Sequence, residues 1–216
     1  MIIGFAGKAA SGKTTAAKHL LERSNSNMVI LPMALVLREE VETFIREVGA
    51  EAYVPLVYGD QDDKVRVFHV DEKSALEECP MWASFVADNQ DIQDIPGQSA
   101  VSVRRILQWW GTEYRRAQDP DYWTKAWEVK LQGYDLATTH VLVDDVRFVN
   151  ELEIIKKNGG IFVKIERPGF NGANNHSSEN SLDHYSDWDL LIQNDGSLEQ
   201  FKQQVEIRIL PLLKAD

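Results

Sequence analysis

Five short apolar runs recur along the chain and predict buried β-strands. They lie at residues 1–6, 28–31, 140–143, 161–165 and 190–192. The runs are almost wholly apolar, with His140 and Lys164 as the exceptions, and they do not alternate, which is typical of strands covered on both faces of a parallel sheet. The segments between them place apolar residues at helical spacing. The pattern therefore predicts an α/β fold, a five-stranded parallel sheet with helices on both faces.

Helical periodicity is the second feature of the pattern. Apolar stripes predict helices around residues 16–21, 37–48, 103–114, 122–131, 151–157 and 198–212. From residue 50 to residue 97 the pattern degrades, because this stretch is acidic and contains three prolines. Its weak alternation at residues 65–70 fits a strand or one arm of a hairpin. We interpret the stretch as an insertion or a mobile lobe.

A glycine-rich loop joins the first predicted strand to the first predicted helix. Residues 7–14 read GKAASGKT and match the phosphate-loop pattern G-x-x-x-x-G-K-S/T at every fixed position. Glycines let the main chain approach phosphate oxygens, and the helix N-terminus favours negative charge. An accidental match in a flexible loop is the alternative, which the strand before it and the helix after it disfavour. The predicted cofactor-binding residues are Gly7, Ala9, Ala10, Ser11, Gly12, Lys13, Thr14 and Thr15.

Two carboxylates follow the apolar run at residues 140–143. In phosphate-loop proteins an acidic residue at the end of a neighbouring strand holds Mg²⁺, so the pair Asp144-Asp145 offers such a carboxylate, and Thr14 offers a hydroxyl ligand. A solvated strand end is the alternative in a chain with this many acids. Arg147 is suited to contact a phosphate through two parallel hydrogen bonds. Its alternative is a surface ion pair with Glu151, four residues further along.

A basic helix face is unusual in this acidic chain. One side of the segment at residues 103–116 carries Arg104, Arg105, Gln108, Thr112, Arg115 and Arg116. Clustered arginines can hold a second anionic substrate, and an amide such as that of Gln108 can donate to and accept from a base edge. A solvated face with ion pairs to the acidic stretch is the alternative.

A polar loop at residues 169–181 follows the predicted strand at residues 161–165. Arg167 lies between the two, and an arginine on a closing loop could neutralise charge during phosphoryl transfer. A plain surface position is the alternative for Arg167, and equally for His176 in the loop.

The net negative charge of the chain limits the kinds of molecule that it can bind. The chain has 216 residues, and 34 Asp and Glu against 23 Lys and Arg give a net charge of −11. Such a surface repels nucleic acid and anionic membranes, yet a pocket can still be locally positive and bind a small anion. The single cysteine, Cys79, excludes an intramolecular disulfide and fits a reducing compartment. No apolar run approaches the roughly 18–20 residues of a membrane span. We expect a cytoplasmic protein that does not bind nucleic acid or membrane.

Two motifs resemble those of phage-type deoxynucleoside monophosphate kinases. Residues 106–116, followed by Asp121-Tyr122-Trp123, resemble the family's L-Q-x-x-G-T-E-x-x-R stretch. Residues 145–151 resemble its D-V-R-F-x-N-E motif. The resemblance covers most of the chain outside residues 50–97. It implies the fold of nucleoside monophosphate kinases, with ATP as donor, Mg²⁺ as cofactor and a deoxynucleoside monophosphate as the acceptor that becomes a diphosphate.

Two shorter stretches extend the resemblance. Arg167-Pro168 with residues 176–179 is similar to the family's lid, and residues 194–198 are similar to a closing loop shared with dephospho-coenzyme A kinases. The implied domains are a phosphate-loop core at residues 1–33 and 138–216, a lid at about residues 168–182, and an inserted acceptor-binding lobe at residues 34–137.

The resemblance also implies roles for single residues. The implied catalytic residues are Lys13, Arg116, Asp145, Arg147 and Arg167, and Asp145 is the implied carboxylate ligand of Mg²⁺ beside Thr14. The implied substrate-binding residues are Arg104, Gln108, Thr112, Arg116, Arg147, Glu151, His176 and Glu179. The implied location is the cytoplasm of a bacterium or of a phage-infected host.

Other functions stay open at this point. The closing loop also fits a dephospho-coenzyme A kinase or another small-metabolite kinase, although the arginine-rich helix favours a nucleotide acceptor. A nucleotide-triggered switch is a further alternative, although the chain has no N-K-x-D guanine motif. Six tryptophans, including Trp109-Trp110, supply either a core or the interface of a homodimer, and we favour the core.

Overall fold

The computed structural model describes residues 1–24, 26–89, 95–169 and 180–213. Its strands are β1 (Ile2–Ala6), β2 (Met28–Ile30), β3 (Val67–Asp71), β4 (Gln98–Ser102), β5 (His140–Val146), β6 (Ile161–Glu166) and β7 (Leu190–Gln193). Its α-helices are α1 (Lys13–Arg23), α2 (Leu35–Glu47), α3 (Pro55–Tyr58), α4 (Gln61–Val65), α5 (Glu72–Glu78), α6 (Trp82–Asp88), α7 (Val103–Trp109), α8 (Tyr122–Leu131), α9 (Val149–Lys157) and α10 (Leu198–Leu213). A 3₁₀ turn spans Glu51–Tyr53, and a π-helix spans Trp110–Arg116.

A five-stranded sheet in the order β2-β5-β1-β6-β7 carries the apolar runs. All its described pairings are parallel. On one face, Ile3 and Phe5 of β1 belong to a buried cluster with α1 and α10. On the other face, a Cβ atom at Gly4 would lie only 2.8 Å from the Ile155 side chain of α9. Helices therefore cover both faces, and the predicted α/β fold is confirmed.

The described residues form two compact units, Met1–Ala34 with Thr124–Asp216, and Leu35–Trp123. These bounds differ from the sequence-based division at residues 124–137, which include most of α8. That helix is tied to the first unit because the Trp127 indole, 1% exposed, donates a hydrogen bond to the Leu31 carbonyl at 3.0 Å. The assignment of the two parts as a core and an acceptor lobe stays a prediction.

A β-bulge lies in β5, where the sequence analysis ended the strand. Gly4 of β1 pairs with Val143, but Ala6 pairs with Val146, so two steps along β1 match three along β5. The extra residue falls at Asp144-Asp145. Bulges re-aim side chains and are over-represented beside active sites. The two carboxylates therefore belong to the strand itself, in an irregular part of it.

The second unit contains the stretch whose pattern degrades. The stretch at residues 50–97, interpreted above as an insertion or a mobile lobe, forms four short α-helices and β3 in its described residues, and β3 pairs antiparallel with β4. The weak alternation at residues 65–70 thus does mark a strand. The buried aromatic residues of this unit are Phe44, Phe68, Trp82, Phe85, Trp109, Trp110 and Trp123. Both tryptophans of the Trp109-Trp110 pair are 5% exposed, as a core position requires. Helices of four to seven residues are too short to show a period in sequence.

Within the described ranges, none of the helices combines the length and apolar character needed to cross a membrane.

Candidate nucleotide site

The loop between β1 and α1 has the backbone that its glycines predict. Gly7 and Gly12 have φ angles of 144° and 112°, and Ala10 is left-handed at 60°. Gly12 precedes the first residue of α1, and no side chain caps that helix end. Uncapped amide groups at a helix N-terminus favour an anion.

The Lys13 side chain folds back over this loop. It is 8% exposed, and its ammonium group donates hydrogen bonds to the carbonyls of Gly7 at 2.7 Å and Lys8 at 2.9 Å. Ser11 is 1% exposed, and its buried hydroxyl has no hydrogen-bond partner within the described ranges. Thr14 is exposed and Thr15 half-buried. Two main-chain carbonyls of the loop therefore hold one ammonium group, and the same loop carries an unpartnered hydroxyl.

Gly7→Ala is expected to distort the loop. A Cβ atom at Gly7 would lie 2.3 Å from the main-chain oxygen of Ile165, which cannot move without shifting β6. We expect thermal unfolding to show a loss of about 3 kcal/mol, together with weakened ATP binding. Gly49→Ala is the control, because its φ is 74° but nothing lies within 4 Å of the added atom. It should cost only about 1 kcal/mol and leave ATP binding unchanged; equal losses in both variants would contradict this account.

Three other segments contact the loop. The Asn194 amide donates to the Ser11 carbonyl at 2.8 Å, and the Arg167 guanidinium donates to the Ala10 carbonyl at 3.2 Å. Lys8 donates to Asn180 at 2.9 Å and forms an ion pair with Asp183. The sequence analysis predicted Arg167, but it assigned no role to the other contact residues. Asn194 could have been found, because it opens the stretch that is similar to a closing loop.

The two carboxylates of β5 differ sharply in their surroundings. Asp145 accepts hydrogen bonds from the main-chain amides of Met33 at 2.7 Å and Ala34 at 3.2 Å, so it fixes the chain that follows β2. Asp144 is 8% exposed, and its Oδ1 atom is buried without a hydrogen-bond partner among the described residues. A buried carboxylate oxygen without a partner is stabilised by a cation or another compensating group. The metal role of Asp145 stays a prediction, and the unpartnered oxygen makes Asp144 a second candidate ligand.

Glu151 holds the backbone around Arg147. Its carboxylate is 4% exposed and accepts from the main-chain amides of Arg147 at 2.6 Å and Phe148 at 3.1 Å. This is a capping interaction at the start of α9. It fixes the turn from which Arg147 projects, whereas the sequence analysis expected Glu151 to contact substrate or to form a surface ion pair.

A cleft of about 330 Å³ lies beside the loop, at the carboxyl ends of the central strands. Its charged lining residues are Lys8, Arg147, Lys164, Arg167, Glu166 and Asp183. Lys164 lies 2.7 Å from Glu166, and its hydrogen bond, with a second from Gln193, holds the pKa of that carboxyl below its usual value. Lys8 pairs with Asp183. The charges of these two pairs cancel, so the net charge of the lining comes from Arg147 and Arg167. The cleft is therefore locally positive in an acidic chain.

The second unit carries the basic face. Arg104 and Gln108 lie on α7, and Thr112 and Arg116 lie on the π-helix. The Arg104 guanidinium donates to the Gln61 side chain, while its Nε atom is buried without a hydrogen-bond partner. Arg116 donates to the Pro120 carbonyl at 3.1 Å. The expectation that Arg115 shares this face is wrong, because its side chain turns to Glu40, 2.9 Å away.

Part of the predicted lid lies outside the described residues. His176 and Glu179, both predicted to bind substrate, fall in that part. The structure thus brings Lys13, Arg147 and Arg167 to one edge of the sheet in the first unit, and it places Arg104, Gln108, Thr112 and Arg116 in the second unit.

Comparison with known proteins connects this site to a family. The family model of deoxynucleotide monophosphate kinases matches residues 55–205. A mimivirus protein provisionally named deoxynucleotide monophosphate kinase is 25% identical over 95% of this chain and 94% of its own length. The deoxynucleotide monophosphate kinase of Enterobacteria phage T4 is 31% identical over 57% of this chain and 52% of its own length. The deoxynucleotide monophosphate kinase of Escherichia phage RB69 is 31% identical over 49% of this chain and 43% of its own length. The family match includes the carboxylates of β5, the arginines of the cleft and the basic helix face, and the chain belongs to the deoxynucleotide monophosphate kinase family.

Proposed function

We propose that this enzyme transfers the γ-phosphate of ATP to the 5′-phosphate of a deoxynucleoside monophosphate and so produces the diphosphate. Membership of a nucleotide kinase family supports the reaction class. The observation that carries the proposal is the cleft in which the phosphate loop and two arginines, Arg147 and Arg167, line one cavity. Such a cavity suits a transferring phosphoryl group, because catalysis of this reaction is mainly alignment and charge neutralisation.

The donor would bind along the loop. Main-chain amides of residues 7–14 would bind its phosphates, and Lys13 would exchange the carbonyls of Gly7 and Lys8 for the charged β- and γ-phosphates. The fold-back of Lys13 supports this role, since its ammonium group already lies inside the loop. The closing loop at Asn194 would fix the loop from outside, through its hydrogen bond to Ser11.

The metal-binding residues fit Mg²⁺. We propose Asp144 and Thr14 as its protein ligands, in place of the pair Asp145 and Thr14. The orphaned oxygen of Asp144 supports this choice, and Mg²⁺ in kinases commonly takes only one or two carboxylates beside the substrate phosphates. When bound, the ion would neutralise negative charge on those phosphates.

The acceptor needs positioning more than activation. Its phosphate oxygen is already anionic near neutral pH, so no strong general base is required. Arg147 and Arg167 would stabilise charge on the transferring group, and we assign acceptor binding to Arg104, Gln108, Thr112 and Arg116. Exclusion of water by the lid would suppress ATP hydrolysis. The roles of His176 and Glu179 stay predictions.

A panel of acceptors tests the proposal. In an ADP-coupled assay with ATP and Mg²⁺, we expect turnover with at least one of dAMP, dGMP, dCMP and dTMP that exceeds ATP hydrolysis without acceptor by more than about a hundredfold. Dephospho-coenzyme A should give only the background rate. Turnover with dephospho-coenzyme A alone would overturn the proposal in favour of that kinase class. Slow hydrolysis that no acceptor stimulates would overturn it in favour of a nucleotide switch.

A further inference from the structure

The basic face is interrupted by a π-helix that the sequence analysis did not anticipate. Residues Trp110–Arg116 continue α7 with π winding. In that winding each amide bonds to the carbonyl five residues earlier, so a turn holds one residue more than an α-helical turn. Such turns are rare and are found frequently at functional sites.

The extra residue decides which of two adjacent arginines shares a face with Gln108. At about 100° per residue, an uninterrupted α-helix would place Arg115 roughly 20° from Gln108 and Arg116 roughly 80° away. One inserted residue shifts everything after it back by one position. Arg116 then lies roughly 20° from Gln108, and Arg115 roughly 120° away. The structure agrees for Arg115, whose side chain points to Glu40 and lies over an aromatic ring.

Glu40 of α2 binds both ends of this turn. One carboxylate oxygen accepts from the Trp110 indole at 2.8 Å and from the Arg115 guanidinium at 2.9 Å. The other accepts from the Tyr122 hydroxyl. Trp110 and Arg115 are five residues apart, which is one π turn. In an α-helix they would lie about 140° apart around the axis, and one oxygen could not reach both.

The surroundings of Arg115 and Glu40 strengthen the ion pair between them. The Arg115 guanidinium lies 4.8 Å from the Tyr114 ring centroid, 5.1 Å from that of Tyr122 and 5.9 Å from that of Trp110. The side chains of Arg115 and Glu40 are 27% and 19% exposed. Partial removal of water makes an ion pair and a cation–π contact stronger than they are on an open surface.

We infer that Glu40 is a positioning residue: it holds the π turn and thereby places Arg116, not Arg115, on the face of Gln108. The inference rests on the proposed function, in which this face binds the acceptor nucleotide. Loss of the Glu40 contacts would let the segment return to α winding, which turns Arg116 away. Acceptor binding would weaken while the phosphate loop, in the other unit, keeps its own structure.

A double-mutant cycle in the full chain tests this. Glu40→Gln keeps the shape of the side chain and removes its charge. It should raise KM for the best of the four common deoxynucleoside monophosphates about tenfold, with KM for ATP unchanged. Arg116→Ala should raise the same KM in the parent chain, but should add less than about twofold in the Glu40→Gln background.

Glu42 supplies the matched control. It lies on the same helix and also accepts from an arginine and a tyrosine, Arg46 at 2.7 Å and Tyr58 at 2.6 Å, but it does not touch the π turn. Glu42→Gln should leave both KM values unchanged, and its effect should be additive with that of Arg116→Ala.

The outcomes separate this inference from the proposed function. If the parent chain turns over none of the four monophosphates, the proposed function fails. If it does turn them over, the inference fails on any of three results: an unchanged acceptor KM in Glu40→Gln, an equal rise in both KM values, or additive effects with Arg116→Ala. Should Glu40→Gln not fold, Arg115→Lys replaces it in the cycle, because lysine keeps the charge but has no Nε donor at that position.

Discussion

Replacing Lys13 by methionine is expected to lower kcat by about a thousandfold or more, because the variant loses the ammonium charge that we propose stabilises the transferring phosphate. In the structure this group lies within the loop, 2.7 Å from the Gly7 carbonyl. Methionine keeps a long unbranched stem in a position that is 8% exposed. The change therefore removes the charge with little loss of packing.

Stability should hardly respond to the same change. The two hydrogen bonds from Lys13 to main-chain carbonyls contribute about 1 kcal/mol each, and their loss is offset because a buried ammonium group no longer needs to be desolvated. We expect the free energy of unfolding to change by less than about 2 kcal/mol. Steady-state kinetics and chemical denaturation on one preparation measure both quantities.

Lys18→Met is the control for charge alone. Lys18 lies on the same helix but is exposed, so its loss changes the net charge equally without touching the loop. Its kcat should stay within about twofold of the parent value. Near-normal activity in Lys13→Met would remove the loop from the mechanism, and an equal fall in both variants would reduce the effect to one of general charge.

The strands of the sheet could be predicted from the sequence because their side chains are buried on both faces of the sheet. Continuous apolar runs such as residues 141–143 are buried along their whole length, so composition alone marks them as strands. The phosphate loop could also be predicted, because only glycine tolerates the backbone angles at Gly7 and Gly12, and the motif therefore has glycine at both positions.

The carboxylates of β5 show where such reasoning stops. The sequence places Asp144 and Asp145 side by side at a strand end, and nothing in the residues tells which one is buried. The difference arises from the bulge, whose register shift against β1 depends on a strand distant in sequence. A bulge between two identical side chains leaves no signal in the pattern.

The stretch between residues 50 and 97 could not be predicted for a different reason. Its described α-helices have only four to seven residues, and its buried residues Trp82 and Phe85 lie on one of them, α6. None of these helices is long enough to establish a period. The π turn was missed because helical periodicity was extended through it, and that extension placed Arg115 on the wrong face. Its cause, the carboxylate of Glu40, lies on another helix.

Exchanging each β5 carboxylate for its amide is expected to give opposite results. Asp144→Asn should lower kcat by about a hundredfold or more, because the variant loses the charge that we assign to Mg²⁺. Its stability without ligands should be unchanged or higher, since a buried carboxylate oxygen without a partner becomes neutral. Asp145→Asn should lose about 2 kcal/mol, because its carboxylate accepts from the amides of Met33 and Ala34.

A binding measurement distinguishes loss of metal binding from loss of catalysis. The rise in Tm that ATP causes should be larger with Mg²⁺ than without it in the parent chain and in Asp145→Asn, and Asp144→Asn should lose this metal-dependent part. If instead Asp145→Asn loses the metal dependence and Asp144→Asn keeps it, the ligand is Asp145, as the family resemblance implied. In that case the unpartnered oxygen of Asp144 would be an energetic cost of the bulge, and the bulge would orient the side chain of Asp145 toward the metal.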